Sequence, residues 1–527
     1  VVVLQKILSE ECSVEKCIVY EPSIGIFIKV LEEYDMEAIF MNPSILILVE
    51  GMNEKHLEEV LYDTLDYKNW KYAYFTTFCA YERLFNEKLV EVRKLYNRIC
   101  EDKKAELHTL CHFAEVGMEN EIKAFYWMFE SKTIDDMVGK FPKEIPCIVV
   151  AAGPSLEKNV DVLKQAKGKA LIICVDTALT FLLERGIIPD IACTIDPQKG
   201  TTYFTRSELK DIPIAVSSDS DYRSLDVIGD IKPIYFSTTN DFFQRLYRDR
   251  GREVEYFDGG GSVGTVCFHL GVRLGFETII IIGQDLAFTD RKAHAGMGKA
   301  TEDDVFYGML MVDGYYGDKV LTRADFKHYI DWYNMRIPQL EDIHVINATE
   351  GGAKLRGADQ MSLQEAVDRY CTETCDVGKI LDQIPKVWEN DEDKKLLYKE
   401  IAAKYKWFVG FRKKLLHGIH MTERAICLLQ RGNSNTKELH NIDKELDKIT
   451  NAVSTEEGMV ILIKRMIDID VQINDDLLDT EDDLMQESER LYLKMQTYLR
   501  NLLKAVDEML PIWKETMEKI NEKYRFE

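Results

Sequence analysis

The sequence predicts an α/β protein: a doubly wound, mostly parallel sheet of Rossmann type, preceded by an N-terminal α/β lobe and followed by a C-terminal helical bundle. Three observations predict it. Short apolar runs recur between residues 146 and 282 with helical patterns between several of them, as expected of strands buried on both faces and joined by crossover helices. Glycine-rich turns follow or flank these runs, where open α/β sheets bind ligands. From about residue 376 apolar residues recur at helical spacing through charged segments, with no proline between Pro385 and Pro511.

Along the chain, residues 1–140 read as an α/β and helical lobe, with strands near 16–21 and 44–50. From about 55 the pattern turns helical, with Trp70, Tyr72, Tyr74, Phe75 and Phe78 interleaved. Glu21, at the end of the first strand, has the place of a ribose-binding acid but lacks the preceding glycine turn, so a non-catalytic lobe is the plainer reading. Residues 141–372 form the central domain, with strands expected at 146–152, 170–175, 191–195, 212–216, 232–236 and 278–282. Residues 373–527 form the helical domain, with breaks near 431–435 and 454–458.

Composition narrows the function. The chain has 527 residues, 67 Lys+Arg and 91 Asp+Glu, a formal net charge of −24. Such acidity argues against a nucleic-acid partner. It still permits an anionic nucleotide, which backbone N–H groups can hold. No apolar run approaches a membrane span, so no membrane partner is expected. Of twelve cysteines, Cys79, Cys147, Cys174, Cys193, Cys267 and Cys427 lie in apolar segments and none forms a CxxC pair. They read as small hydrophobes in a reducing, cytoplasmic protein.

Four motifs could support chemistry. Ala151-Ala-Gly-Pro-Ser-Leu-Glu157 follows a buried strand and opens a helix, so Gly153, Pro154 and Ser155 suit a phosphate-binding turn. Asp176 and Thr177 end the next strand, where a side chain could hold a ribose; the plainer reading is a capped strand-to-helix turn. Gly259-Gly-Gly-Ser-Val-Gly264 has dinucleotide-binding spacing, but it comes late in the domain after a short polar segment. A second wall of one nucleotide site fits better, with Gly261, Ser262 and Thr265 facing the ligand and Gly283, Gln284 and Asp285 ending the next strand. No P-loop pattern occurs.

Isolated acids follow other strands: Asp190, Asp196, and the D-x-D of Asp219 and Asp221. Turn chemistry is their default, with Asp196 the better ligand candidate. His294, on a polar loop after Asp285, suits general acid/base work near neutral pH, although a loop histidine is more often a plain surface residue.

In order, Ala152-Gly-Pro-Ser-Leu156, Val175-Asp-Thr-Ala-Leu179, Pro189-Asp190, Asp196-Pro197, Gly261-Ser-Val-Gly264, Gly283-Gln-Asp-Leu-Ala-Phe288, His294 and Asn347-Ala-Thr-Glu-Gly-Gly352 resemble the Maf (motility accessory factor) proteins, bacterial flagellin glycosyltransferases. The resemblance covers about 145–360 and extends more loosely to Tyr20-Glu-Pro-Ser23 and the tail. The family's central domain is similar to bacterial sialyltransferases that use a CMP-activated sugar. The resemblance implies nucleotide contacts from Gly153 and Ser155, ribose or base contacts from Asp176, and a cytidine site lined by Ser262, Thr265, Gly283 and Asp285. It makes His294 the base that deprotonates the acceptor and groups Asp285 with it as a catalytic residue. The chain has Ala152 and Asp176 where some relatives have asparagine. No tyrosine after Phe288 clearly matches those that hold the donor phosphate in the sialyltransferases.

The implied reaction moves a nonulosonic acid (sialic-like, legionaminic or pseudaminic) from CMP to Ser or Thr of flagellin. The leaving group has a single phosphate, so N–H dipoles and a hydroxyl can neutralise it; no cofactor is required and a divalent metal is not demanded. Two rivals stand beside this reading. One is an archaeal-type pterin diphosphokinase using ATP and magnesium; the other is a non-enzymatic flagellin chaperone or scaffold.

Overall fold

Strands β1 (Cys17–Glu21) and β2 (Ile45–Val49) pair in parallel, Cys17 opposite Ile45 through Glu21 opposite Val49. Parallel neighbours need a crossover, and the helix Ile24–Glu33 lies within it. Ser23 caps that helix, its hydroxyl accepting from the Ile26 N–H at 3.3 Å. Glu21 accepts from the Ser23 N–H at 2.9 Å and the Tyr81 hydroxyl at 2.7 Å, so this acid ties its own turn together. Leu48, Leu57, Leu61, Val92 and Ile99 belong to a core here. These elements belong to the first of two compact units, Val1–Phe113 and Ala114–Glu527. The computed structural model describes residues 4, 14–66, 69–205, 207–228, 233–237, 241–252, 254, 259–288, 295, 309–431, 436–455 and 484–526.

The second unit is built on a nine-stranded sheet. Its strands are β3 (Lys132–Thr133), β4 (Cys147–Val150), β5 (Leu171–Val175), β6 (Ile191–Thr194), β7 (Ile214–Ser217), β8 (Pro233–Ser237) and β9 (Thr278–Ile282). The hairpin β10 (Leu310–Asp313) and β11 (Lys319–Thr322) stands apart from it. β12 (His344–Asn347) and β13 (Asp359–Gln360) complete the sheet in the order β13-β12-β9-β4-β5-β6-β7-β8-β3. Every pairing in it is parallel. Parallel sheets need both faces covered, and every residue of β4 and β5 is buried. Each Ile, Val or Leu buried this way contributes roughly 1.5–3 kcal/mol. The expected doubly wound sheet is present, and among the described residues it is wholly parallel.

The helices used below are α1 (Asn86–Met128), α2 (Asp176–Glu184), α3 (Val263–Arg273), α4 (Ala324–Arg336), α5 (Asp391–Gln430), α6 (Thr436–Thr455) and α7 (Leu484–Tyr524). The predicted break near 431–435 matches the end of α5 at Gln430. α5, α6 and α7 meet at Gly418, where an added Cβ would approach the side chains of Ile449 at 2.7 Å and Leu499 at 2.9 Å. Phe408 of α5 packs on Trp513 of α7 with ring centroids 5.7 Å apart. α7 runs through Pro511. The further division of this unit at residue 372 into sheet and helical domains is a proposal.

Among the cysteines, Cys147, Cys174, Cys193 and Cys267 are buried as expected. Cys79 and Cys427 are instead exposed; their apolar neighbours lie on helices that turn this position outward. No described helix is long and apolar enough to cross a membrane.

Candidate functional site

Among the described residues from β4 onward, the strand order reverses once. From β4 the chain proceeds outward through β5, β6, β7 and β8, then returns to the other side of β4 as β9. That reversal opens a crevice at the carboxyl ends of β4 and β9, the usual ligand position in open α/β sheets. Val150 of β4 lies opposite Ile282 of β9 on one side and Cys174 of β5 on the other. The turns that follow, around 151–155, 283–285 and 175–177, therefore stand side by side.

The β4 and β9 turns are bonded together. The Gly153 N–H donates to the Gly283 carbonyl at 2.5 Å, and the Ala151 N–H to the Ile282 carbonyl at 2.9 Å. Ser155 donates its N–H to the Asp285 carboxylate at 3.2 Å and its hydroxyl at 2.6 Å. Both residues are buried, Ser155 at 0% and Asp285 at 2% exposure. Gly153 is required by this approach: a Cβ there would overlap the Asp285 carboxylate and the Gly283 carbonyl.

This geometry corrects one expectation. The N–H of Ser155, read as free to meet a phosphate, is taken by a carboxylate of the chain itself. The helix it opens, Leu156–Asn159, is one turn long, so the local anion is supplied by Asp285 rather than left to a ligand.

The second glycine turn joins the same place. Gly264 lies in the first turn of α3, where a Cβ would come within 2.5 Å of the Gln284 side-chain oxygen. Gln284 itself is buried. Ser262 and Thr265 form a capping box: the Ser262 hydroxyl accepts from the Thr265 N–H, and the Thr265 hydroxyl accepts from the Ser262 N–H, both at 3.1 Å. These two hydroxyls are thus engaged with their own helix end, while Gly261 is exposed beside them. Trp332 and Tyr333 of α4 back the turn, Tyr333 donating to the Gly264 carbonyl at 3.2 Å.

Asp176 starts α2 and is fully buried. Its carboxylate accepts from the Thr194 hydroxyl at 2.8 Å and the Thr177 N–H at 2.6 Å, and pairs with Lys199 at 3.1 Å. Burial pushes its carboxyl up against the opposing pull of Lys199 and of those hydrogen bonds. Asp196, half-buried, accepts from the Gln198 N–H at 2.8 Å in a tight turn. Asp219 and Asp221 are likewise used locally, by the Ser217 hydroxyl and by Gly200 and Arg223. Among the described residues no three His, Cys, Asp or Glu side chains gather as a metal site. Asp190 lies at the opposite, amino edge of the sheet, accepting from the Ile172 N–H at 2.9 Å.

His294 lies outside the described residues. Its sequence neighbour Ala295 donates its N–H to the Ala152 carbonyl at 2.7 Å. The Asn347-to-Gly352 segment closes the other side: the Ala353 N–H donates to the Asp285 carbonyl at 2.7 Å, and Asn159 donates to the Ala348 carbonyl at 3.1 Å. Sequence reasoning missed Lys199, Thr194 and Asn159. Only Lys199 left a signal, as a lone cation three residues after Asp196.

The solved structure of a Maf glycosyltransferase from Magnetospirillum magneticum AMB-1 matches 97% of this chain and 74% of its own, with a TM-score of 0.53 and 15% sequence identity. The chain is Maf-like in fold. The resemblance read from the motifs therefore extends to the Maf-type architecture of nearly the whole chain. A family model described as 6-hydroxymethylpterin diphosphokinase MptE-like matches residues 119–291, the part of the Maf-like fold that contains both glycine turns. No curated protein matches the chain in sequence.

Proposed function

We propose that this chain is a glycosyltransferase that moves a nonulosonic acid from a CMP-activated donor to Ser or Thr hydroxyls of flagellin in the cytoplasm, with no nucleic-acid or membrane partner. The observation that supports it best is the junction of the β4 and β9 turns through Ser155 and Asp285, at a reversal of strand order in a Maf-like fold. Fold alone would not specify a reaction. The ordered motifs at the carboxyl edge supply the rest of the argument.

In this reading Gly153, Pro154 and Ser155 form the floor beneath the nucleotide, with Gly261, Ser262, Thr265, Gly283 and Gln284 as its second wall. Asp285 keeps that floor in shape. Asp176, Thr177 and Asp196 border the ribose side. His294 takes the proton of the acceptor hydroxyl as its oxygen attacks the anomeric carbon; the bond from that carbon to the phosphate oxygen breaks, and CMP leaves with the electron pair. One phosphate leaves, so backbone dipoles suffice and no metal or other cofactor is required.

The test is transfer itself. Purified chain, unmodified flagellin and CMP-legionaminic or CMP-pseudaminic acid are incubated with EDTA, and flagellin is weighed intact. Gain of whole glycosyl units supports the reading; unchanged flagellin with every CMP-linked nonulosonic acid contradicts it. The MptE-like match at 119–291 favours one second reading, diphosphate transfer from ATP to a pterin. It requires magnesium-dependent AMP release in the presence of 6-hydroxymethylpterin.

A further inference from the structure

Beyond the carboxyl ends of β6 and β7, on the same edge as the glycine turns, lies a groove of about 310 Å³ lined by Val116, Glu119, Asn120, Gln198, Tyr222 and Arg223. α1 forms one side of it, and the loop after β6 and the start of the helix Tyr222–Ile228 form the other. None of the site residues discussed above lines it, and the donor and general base of the proposed reaction leave it unused.

The groove is firmly built. Asn120 of α1, 1% exposed, donates from its amide nitrogen to the carbonyls of Pro197 and Asp219, both at 2.9 Å, so it fastens the helix to the loops after both strands. The Tyr222 hydroxyl donates to Glu119 at 2.9 Å. The helical tail is fastened beside it: Lys123 of α1 pairs with Glu515 of α7 at 2.8 Å, and Lys519 of α7 pairs with Asp226 at 2.9 Å. Arg223 donates from Nε and Nη2 to the buried Asp221 carboxylate at 2.8 and 2.7 Å. That bidentate pair fixes the guanidinium plane, while Nη1 makes no hydrogen bond among the described residues. A guanidinium held by one edge presents its other N–H groups to a second carboxylate. Glu119 and Gln198 offer acceptor oxygens, which suit the N–H groups of a peptide backbone.

Position decides the occupant. Strands lie about 4.8 Å apart, so three spacings separate the β4/β9 crevice from the β6/β7 boundary, on the order of 14 Å. An occupant of the groove therefore leaves the reacting atoms and the donor in their own place. An extended polypeptide covers that distance in about four residues, so one acceptor chain reaches both places. We infer that this groove docks a segment of the acceptor polypeptide away from the reacting hydroxyl, with an acidic side chain on the outer edge of Arg223 and backbone N–H groups toward Glu119 and Gln198. In a chain of net charge −24, a guanidinium fixed to face outward is the local exception that admits an acidic partner. The inference rests on the flagellin-acceptor reading and adds the surface that holds the acceptor.

The test is calorimetric titration of the full chain with two probes, unmodified flagellin and CMP. Arg223→Gln removes the fork, and Val116→Trp fills the groove with an indole while leaving the Arg223–Asp221 pair intact. Each variant is expected to bind flagellin about tenfold more weakly than the unaltered chain and to keep its CMP affinity. Added salt should weaken flagellin binding by the unaltered chain and by Val116→Trp more than by Arg223→Gln, because only the last lacks the charge being screened. Unchanged flagellin affinity in either variant would overturn the inference. So would a parallel loss of CMP affinity in both, which would assign the groove to the donor. If the unaltered chain binds CMP but not flagellin, the flagellin-acceptor reading itself fails and the inference with it.

Discussion

Ser155 donates both its backbone N–H and its hydroxyl to the carboxylate of Asp285, 130 residues further along the chain. One buried carboxylate thereby joins the turn after β4 to the turn after β9 and sets the floor of the crevice between them. Losing it leaves two buried donors without an acceptor, an unfavourable state because water cannot replace the partner.

Asp285→Ala is therefore expected to lower unfolding stability by about 1–3 kcal/mol and to weaken CMP binding about tenfold or more. Asp285→Asn, which keeps one acceptor oxygen, should cost less. Urea unfolding followed by circular dichroism checks the order; equal stability of all three chains would contradict the role assigned to this carboxylate.

Gly153→Ala should be worse for binding than its small volume suggests. Its Cβ meets a carboxylate and a backbone carbonyl rather than a flexible side-chain end, so the two turns must separate. Expected is a folded chain, by circular dichroism, whose melting temperature no longer responds to CMP. A normal CMP response would show that the close approach is dispensable.

Acid sensitivity is expected around Glu130. Burial alone would raise its carboxyl, but hydrogen bonds from Lys386, Tyr524 and Lys394 overcome this and bring it down to about 2. The folded value lies below the ordinary 4.5. The stabilisation is thus present above about pH 4.5 and lost as pH falls toward about 2. Glu130→Gln should be less stable than the unaltered chain at pH 7, and the difference should shrink across that window. A difference in melting temperature that is constant from pH 7 to about pH 2 would refute it.

His294→Ala should reduce sugar transfer by at least about a hundredfold, the usual scale of general-base catalysis, while leaving CMP affinity nearly intact. Rate and affinity measured on the same preparation check this. Transfer at the unaltered rate would remove His294 from the mechanism.

Much of the sheet was legible because β4, β5 and β9 are unbroken apolar runs that only a strand buried on both faces explains. The two-residue strands β3 and β13 were not: Lys132–Thr133 and Asp359–Gln360 are too short to show a period, and parallel partners position them. β12 begins with a half-buried histidine, which masks its apolar remainder. The site was legible as separate turns. Their junction was not, because a contact between residues 155 and 285 depends on the strand order. The partners of Asp176 were hidden for the same reason: Thr194 and Lys199 reach it only once β5 and β6 pair.

The central claim is that the corners at β4 and β9 hold one cytidine nucleotide without a metal. Isothermal titration of the full chain with CMP in EDTA tests it most directly, with ATP plus magnesium as the comparison. Saturable one-site CMP binding is expected, weakened about tenfold or more by Asp285→Ala. CMP binding unchanged by that substitution, or binding of ATP with magnesium and none of CMP, would contradict it.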